Sequence, residues 1–252
     1  MKDDVKIAVV SYKRPSNNTC KLLLETNLNW NVFVYQFDPY LFDYINAYGE
    51  HVHVIPKEKI EKANLSNKRQ YVLDKLYEEG YRYGFMFDDD IETLTYNNID
   101  CSIEFMCKKL YNTMTKKNKY VAISASYNKS DNSYILEEYK NICNNTIFDL
   151  KLFHESGVRY NPESKCEDME LAIDLFKQGY VSARHNQIIA HNILQGGSTG
   201  DGLSYRFNNT NRFIEEGSYM ANRYPELKDV FEFDENHFKM NTKKLKNCLQ
   251  IK

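Results

Sequence analysis

The chain has 252 residues, with 33 basic against 35 acidic side chains, a formal net charge of −2 and 42% hydrophobic residues. That length fits one large α/β domain or two small ones and can bury a sizeable core. The balanced charge excludes the broad basic field of a sequence-blind nucleic-acid binder, so any such contact must come from a local patch. Six scattered cysteines with no C-x-x-C pair indicate neither a zinc site nor a disulfide framework. Met1-Lys2-Asp3-Asp4 lacks a signal-peptide core and no apolar run reaches transmembrane length, so the expectation is a cytoplasmic protein with reduced thiols and no membrane partner.

Val5-Lys6-Ile7-Ala8-Val9-Val10 reads as a first strand, which Ser11-Tyr12-Lys13-Arg14-Pro15 brings to an end. A polar, basic loop after strand one is where a doubly wound fold meets a nucleotide. Lys13 and Arg14 can neutralise phosphates there, Tyr12 can stack on a base, and Ser11 opens the same loop; a solvated turn explains these residues equally well. The absence of GxGxxG and of GxxxxGK[ST] excludes a dinucleotide fingerprint and a P-loop. Residues 31–37 read as a second strand and 51–55 as a third, whose His51 and His53 share one face at period two; a half-exposed edge strand is preferred over a metal site. A helix follows, capped by Asn64 or Ser66, closed by Gly80, with apolar pairs Val72/Leu76 and Leu73/Tyr77. Its first turn carries Asn67, Lys68 and Arg69, where the macrodipole disfavours cations unless an anion is bound, so Arg69 is a candidate phosphate or nucleotide contact.

Gly84-Phe85-Met86-Phe87 then runs into Asp88-Asp89-Asp90. The apolar run suits a strand buried on both faces, and three carboxylates cannot continue inside that core. They must emerge at the carboxyl edge of the sheet, where clustered carboxylates call for a cation and hard oxygens suit Mg2+ or Mn2+. An acidic turn is the plainer alternative. The alternating βαβαβ order implies a Rossmann-like, mostly parallel central sheet flanked by helices, in a single domain.

Beyond it, 101–114 reads as an amphipathic helix, 120–125 as a buried strand, 126–146 as a polar loop region and 146–150 as a strand. Residues 164–179 are the clearest helix. Ser164 and Glu167 have capping-box spacing, which gives Glu167 a purely structural explanation, whereas Asp168 sits ionised in the first turn and can act as a general base. Residues 187–192 form a strand that ends at His191, a candidate metal ligand. A glycine loop follows, in which Gly196 and Gly197 let the backbone approach a ligand closely, and then Ser204-Tyr205-Arg206, a helix over 211–222 and a lysine-rich tail. Lys116, Lys117 and Lys119, with Lys243, Lys244 and Lys246, are the candidate basic patch.

Strand-FDDDI, a later E-D at a helix start and a histidine before a glycine loop resemble a GT-A glycosyltransferase over essentially residues 5–206. The resemblance implies that Asp88 and Asp90 hold a divalent metal, Mn2+ or Mg2+, against the diphosphate of a nucleotide-sugar, with a UDP-sugar the first choice. It makes Asp168 the base beside Glu167, and His191 a further metal ligand. Ser11, Tyr12, Lys13, Arg14, Arg69, Asp88, Asp89, Gly196, Gly197 and Arg206 become donor contacts. It also divides 1–252 into a nucleotide-sugar half (5–98) and an acceptor half with its tail (99–252). More narrowly, SYKRP at 11–15, RQ-x-x-L at 69–73, FDDDI, CEDMEL, GGS followed by SYR, and RYPELKDVF at 223–231 are similar to the bacteriophage TET-associated glycosyltransferases, which glycosylate hydroxymethylated bases in DNA. Thr199 to Asp201 are extra residues within the acceptor loop of that pattern. The implied function is sugar transfer to a 5-hydroxymethyl-pyrimidine in phage DNA. The alternatives are a glycan, lipid or protein acceptor, or a non-catalytic sugar- or DNA-binding module. An aspartyl phosphohydrolase is disfavoured by Glu92 where Thr or Val is wanted, and a topoisomerase-primase nuclease by the lack of a partner glutamate.

Overall fold

The computed structural model describes residues 3–127, 134–142, 145–192, 211–234 and 237–249. Hydrophobic runs interrupted by polar turns build the first half: β1 (Val5–Val10), α1 (Asn18–Leu24), β2 (Trp30–Tyr35), α2 (Leu41–Tyr48), β3 (Val52–Ile55), α3 (Leu65–Glu78) and β4 (Tyr83–Asp88). The strands pair in parallel in the order β3-β2-β1-β4, with Val10 opposite Asp88 in the register. His53 lies in the edge strand β3, whereas His51 ends a 3-10 turn (Gly49–His51) just before it, so the two do not share a strand face as expected. The ring of His51 stacks on Trp30, and that of His53 faces Tyr71. α3 begins at Asn64, whose side chain accepts from the Asn67 N–H, and Gly80 closes its far end with a φ of +86°.

The second half holds β5 (Ile91–Tyr96), β6 (Ile99–Asp100), α4 (Ile103–Met114), β7 (Tyr120–Ser126), β8 (Leu136–Glu138), β9 (Thr146–Asp149), α5 (Leu150–Glu155), α6 (Glu167–Lys177) and β10 (Val181–Asn192). It ends with α7 (Arg212–Arg223), β11 (Phe231–Phe233), β12 (Phe238–Met240) and α8 (Thr242–Cys248). The large sheet continues β4-β9-β7-β10-β5-β6, with β8 also on β10. β9 is antiparallel to both β4 and β7, so β7 and its parallel neighbour β10 run the same way as β1 and β4. The sheet is therefore mostly parallel, as the alternation of elements predicts, with β5, β8 and β9 reversed. β5, β6 and β8 were not expected from the sequence: the first two fold back directly after the aspartates, and β8 lies inside the stretch read as loop.

Successive residues of each strand point to opposite faces, and both faces are buried. Ile7, Val9, Phe85 and Phe87 pack with Leu23 of α1, Tyr44 of α2 and Met106 of α4. Ala8, Val10 and Met86 pack with Leu76 of α3, Phe153 of α5, Leu171 of α6, Met220 of α7 and Leu245 of α8. A Cβ on Gly84 would lie 2.9 Å from Leu76 Cδ1, so glycine at this point lets α3 seat closely on β4. That seating carries the first turn of α3 to the end of the aspartate strand. No helix among the described residues is long and apolar enough to cross a membrane.

Candidate active site

The carboxyl edge of the sheet brings together Ser11 just after β1, Asp88 at the end of β4 with Asp89 and Asp90 in the turn beyond it, and Asn192 at the end of β10, and the aspartates occupy three different environments. Asp89 is buried, accepts from Ser11 Oγ at 2.6 Å and pairs with Arg14 Nη1 at 3.1 Å; burial still pushes its carboxyl above the ordinary value. Asp90 is also buried. Burial, then Asp88 and Asp89, push it up to about 7, and the Asn192 amide donates to its Oδ1. Asp88 keeps 18% of its side chain exposed and lies 3.3 Å from Arg69 Nη2. The turn itself is pinned by Thr19, whose hydroxyl donates to the Asp88 carbonyl at 2.7 Å and accepts from the Ile91 N–H at 3.0 Å.

The loop after β1 is held from several sides. Asp38 accepts from the N–H of Lys13, which has a φ of +58°, and the Tyr44 hydroxyl accepts from the Arg14 N–H at 2.9 Å. From α3, the buried Lys68 donates to the Ser11 carbonyl and lies 4.3 Å over the Tyr35 ring; burial lowers its ammonium to about 7 against the pull of Asp89 and Asp38. Tyr12 meets Tyr35 edge-on, with centroids 5.6 Å apart.

Arg69 turns inward. Its Nη1 lies 2.5 Å from Asp168 Oδ1 and 3.3 Å from Glu167 Oε1, while Nη2 reaches Asp88. The protein's own carboxylates thus face the cation in this first turn. The capping box expected for α6 does not form. Cys166 is the N-cap with no side-chain bond, Ser164 Oγ accepts from the Cys166 N–H, and Glu167 goes to Arg69. Burial pushes the Asp168 carboxyl above its ordinary value against the pull of Arg69, with Glu167 and Asp88 adding to the rise. The Tyr160 hydroxyl is buried beside this cluster with no hydrogen-bond partner among the described residues.

His191 is exposed at the end of β10, opposite Thr93, and the adjacent Asn192 is the residue that reaches Asp90. Neighbours in a strand point to opposite faces, and the register shifts between these two. Gly196, Gly197 and Arg206 lie outside the described residues. Among the described residues no group of three or more His, Cys, Asp or Glu is gathered as a metal site. The hard oxygens of Asp88 and Asp90 nonetheless fit a divalent cation, because a buried carboxylate with like charges beside it is the donor such an ion stabilises. Lys68, Thr19, Tyr160 and Asn192 were missed in the sequence; only Lys68 carried a local signal, its place beside Arg69 in a helix start.

Comparison with solved structures shows the fold. The mannosyltransferase PcManGT from Pyrobaculum calidifontis, in complex with GDP-Man and Mn2+, superposes with a TM-score of 0.57 at 9% identity, over 87% of this chain and 64% of that one. The chain thus spans less than two thirds of that enzyme. Glucosyl-3-phosphoglycerate synthase from Mycobacterium tuberculosis, with Mg2+ and UDP, gives 0.50 at 9% identity, over 75% of this chain and 72% of that one. The fold is that of the GT-A nucleotide-sugar transferases. The model of the TET-associated glycosyltransferase family matches residues 5–193, and the chain belongs to that family: it is a glycosyltransferase. No curated protein matches it in sequence.

Proposed function

We propose that the chain transfers a sugar from a nucleotide-sugar, a UDP-sugar in the first instance, to the hydroxymethyl group of a modified pyrimidine in DNA. Asp88 and Asp90 would hold a divalent cation, which supplies charge neutralisation for the donor diphosphate. Ser11, Tyr12, Lys13 and Arg14 line the donor side, and Gly196, Gly197 and Arg206, outside the described residues, are the remaining donor contacts. Asp168 receives or orients the acceptor hydroxyl, held in place by Arg69. One observation carries this reading: a single guanidinium bridges Asp88 at the end of β4 to Glu167 and Asp168 at the start of α6. Donor-side and acceptor-side carboxylates are thereby fixed in one cluster. The metal and nucleotide in the similar structures support the donor side, and the family supports DNA as acceptor. A base inside a duplex hides its hydroxymethyl group, so a flipped or single-stranded base is the expected substrate.

The test incubates the protein with Mn2+ and UDP- and GDP-sugars on hydroxymethylated and unmodified DNA, then digests to nucleosides for mass spectrometry. A hexose-shifted hydroxymethyl nucleoside is expected on the modified DNA alone. Transfer to glycan, lipid or protein acceptors with no such nucleoside would leave a glycosyltransferase with a different acceptor.

A further inference from the structure

Asp90 receives its hydrogen bond from a strand distant in sequence, through a relay. The Asn192 amide donates to Asp90 Oδ1, and Asn192 Oδ1 in turn accepts from Asn145 Nδ2 at 3.0 Å. Asn145 is 2% exposed, and its carbonyl accepts from the Ala125 N–H at 3.0 Å, which ties the relay to the end of β7. Three segments therefore meet at one carboxylate: the exit of β4, the entry to β9 and the exit of β10. A carboxamide is the side chain that can receive a bond from one neighbour and give one to the next. An aspartate at 192 would instead add a carboxylate beside Asp90. At 145 the backbone has a φ of +61°, a left-handed conformation that asparagine tolerates. Neither amide caps a helix, so helix stability does not explain them.

We propose that Asn192 and Asn145 are positioning residues for Asp90: the relay fixes one carboxylate oxygen by hydrogen bonding and presents the other to the divalent cation. This rests on the reading that Asp88 and Asp90 hold that cation. It assigns to Asn192 the position beside the metal that the sequence pattern gave to His191. Partners of this kind around a ligating carboxylate set its orientation, and losing one weakens metal affinity by about 10–100-fold.

The experiment measures Mn2+ affinity of the full chain in the presence of UDP, from the electron paramagnetic resonance of free Mn2+. The variants are Asn192→Ala, Asn145→Gly, the double variant, and Asp90→Asn as a control. Asn145→Gly removes the amide and keeps the left-handed backbone free of strain, so its fold is secure if Asn192→Ala proves unstable. Asn192→Ala is expected to weaken Mn2+ binding by about 10–100-fold. Asn145→Gly should weaken it less, and the double variant should match Asn192→Ala, because the relay acts through Asn192. Raising Mn2+ should restore the transfer rate of the Asn variants. Wild-type Mn2+ affinity in both single variants would overturn the relay while leaving the metal site intact. Unchanged binding in Asp90→Asn, or no Mn2+ binding by the wild type, would overturn the metal reading and the relay with it.

Discussion

Arg69 Nη1 lies 2.5 Å from Asp168 Oδ1, and Nη2 of the same guanidinium lies 3.3 Å from Asp88 Oδ1. One buried cation thus joins the helix that begins at Glu167 to the strand that ends at Asp88, two elements distant in the sequence. A planar fork can address carboxylates on two sides, which the point charge of lysine cannot. Arg69→Ala leaves three carboxylates facing one another without their cation and should lower unfolding free energy by about 3–5 kcal/mol in urea titration. Arg69→Lys should recover part of that stability and little of the transfer rate. Wild-type stability in Arg69→Ala would mean that these carboxylates are not mutually dependent.

Asp168→Asn keeps the shape of the side chain and removes its basicity. Turnover should fall by roughly 100-fold or more, with donor affinity little changed, because Arg69 retains its contacts with Asp88 and Glu167. Equal turnover for Asp168→Asn and the wild type, in single-turnover kinetics, would assign the proton transfer elsewhere.

The Asp90 carboxyl stands at about 7, raised by burial first and by Asp88 and Asp89 next, so an anion at this position strains the metal-free protein. Asp90→Asn should therefore melt no lower than the wild type in EDTA, while losing transfer and the Mn2+-dependent part of UDP binding. Full activity of the variant, or of the wild type in EDTA, removes the metal from the reaction.

Local patterns made the aspartate strand legible, since Phe85, Phe87 and then Asp88 specify burial followed by exit within a few residues. The parallel half and the Asn64 cap of α3 follow from equally local signals. The direction of β9 does not: Thr146–Asp149 carries burial but no sign of orientation, and only its neighbours β4 and β7 make it antiparallel. Ser164 and Glu167 show why spacing alone misleads. The capping pattern is present, yet Arg69, 98 residues away, claims the glutamate. Similarly, one residue of register separates the exposed His191 from Asn192, and the shift between them is set by pairing with β5, not by sequence.

Lys68 offers a pH test. Burial lowers its ammonium to about 7, whereas in the unfolded chain it returns to the ordinary lysine value of 10.5. Between these values the unfolded chain binds more protons than the folded one, so the Lys68 contribution to stability rises with pH across that window. Lys68→Met should abolish this component and raise stability relative to the wild type at pH 7 and below. The gap should narrow as pH rises from 7 to 9, a difference that cancels the tyrosines and cysteines common to both. A gap independent of pH in urea titrations would show that Lys68 is not the titrating group.

The basic loop that the sequence offered as a DNA contact stands at the opposite edge of the sheet from the aspartates. Lys116, Lys117 and Lys119 are exposed and precede Tyr120, the first residue of β7. β7 runs in the same direction as β4, so this loop is at the amino edge of the sheet and the aspartates at the carboxyl edge. Six residue steps of strand separate those edges by roughly 20 Å. Of the tail lysines, Lys244 pairs with Glu232 at 3.1 Å and Lys246 lies over Tyr139. If DNA is the acceptor, transfer should slow as salt rises, because phosphate contacts release counterions. Replacing Lys116, Lys117 and Lys119 together by serine should leave both the rate on a short hydroxymethylated oligonucleotide and its salt slope unchanged. A flattened slope in the triple variant would instead route the DNA past the amino edge.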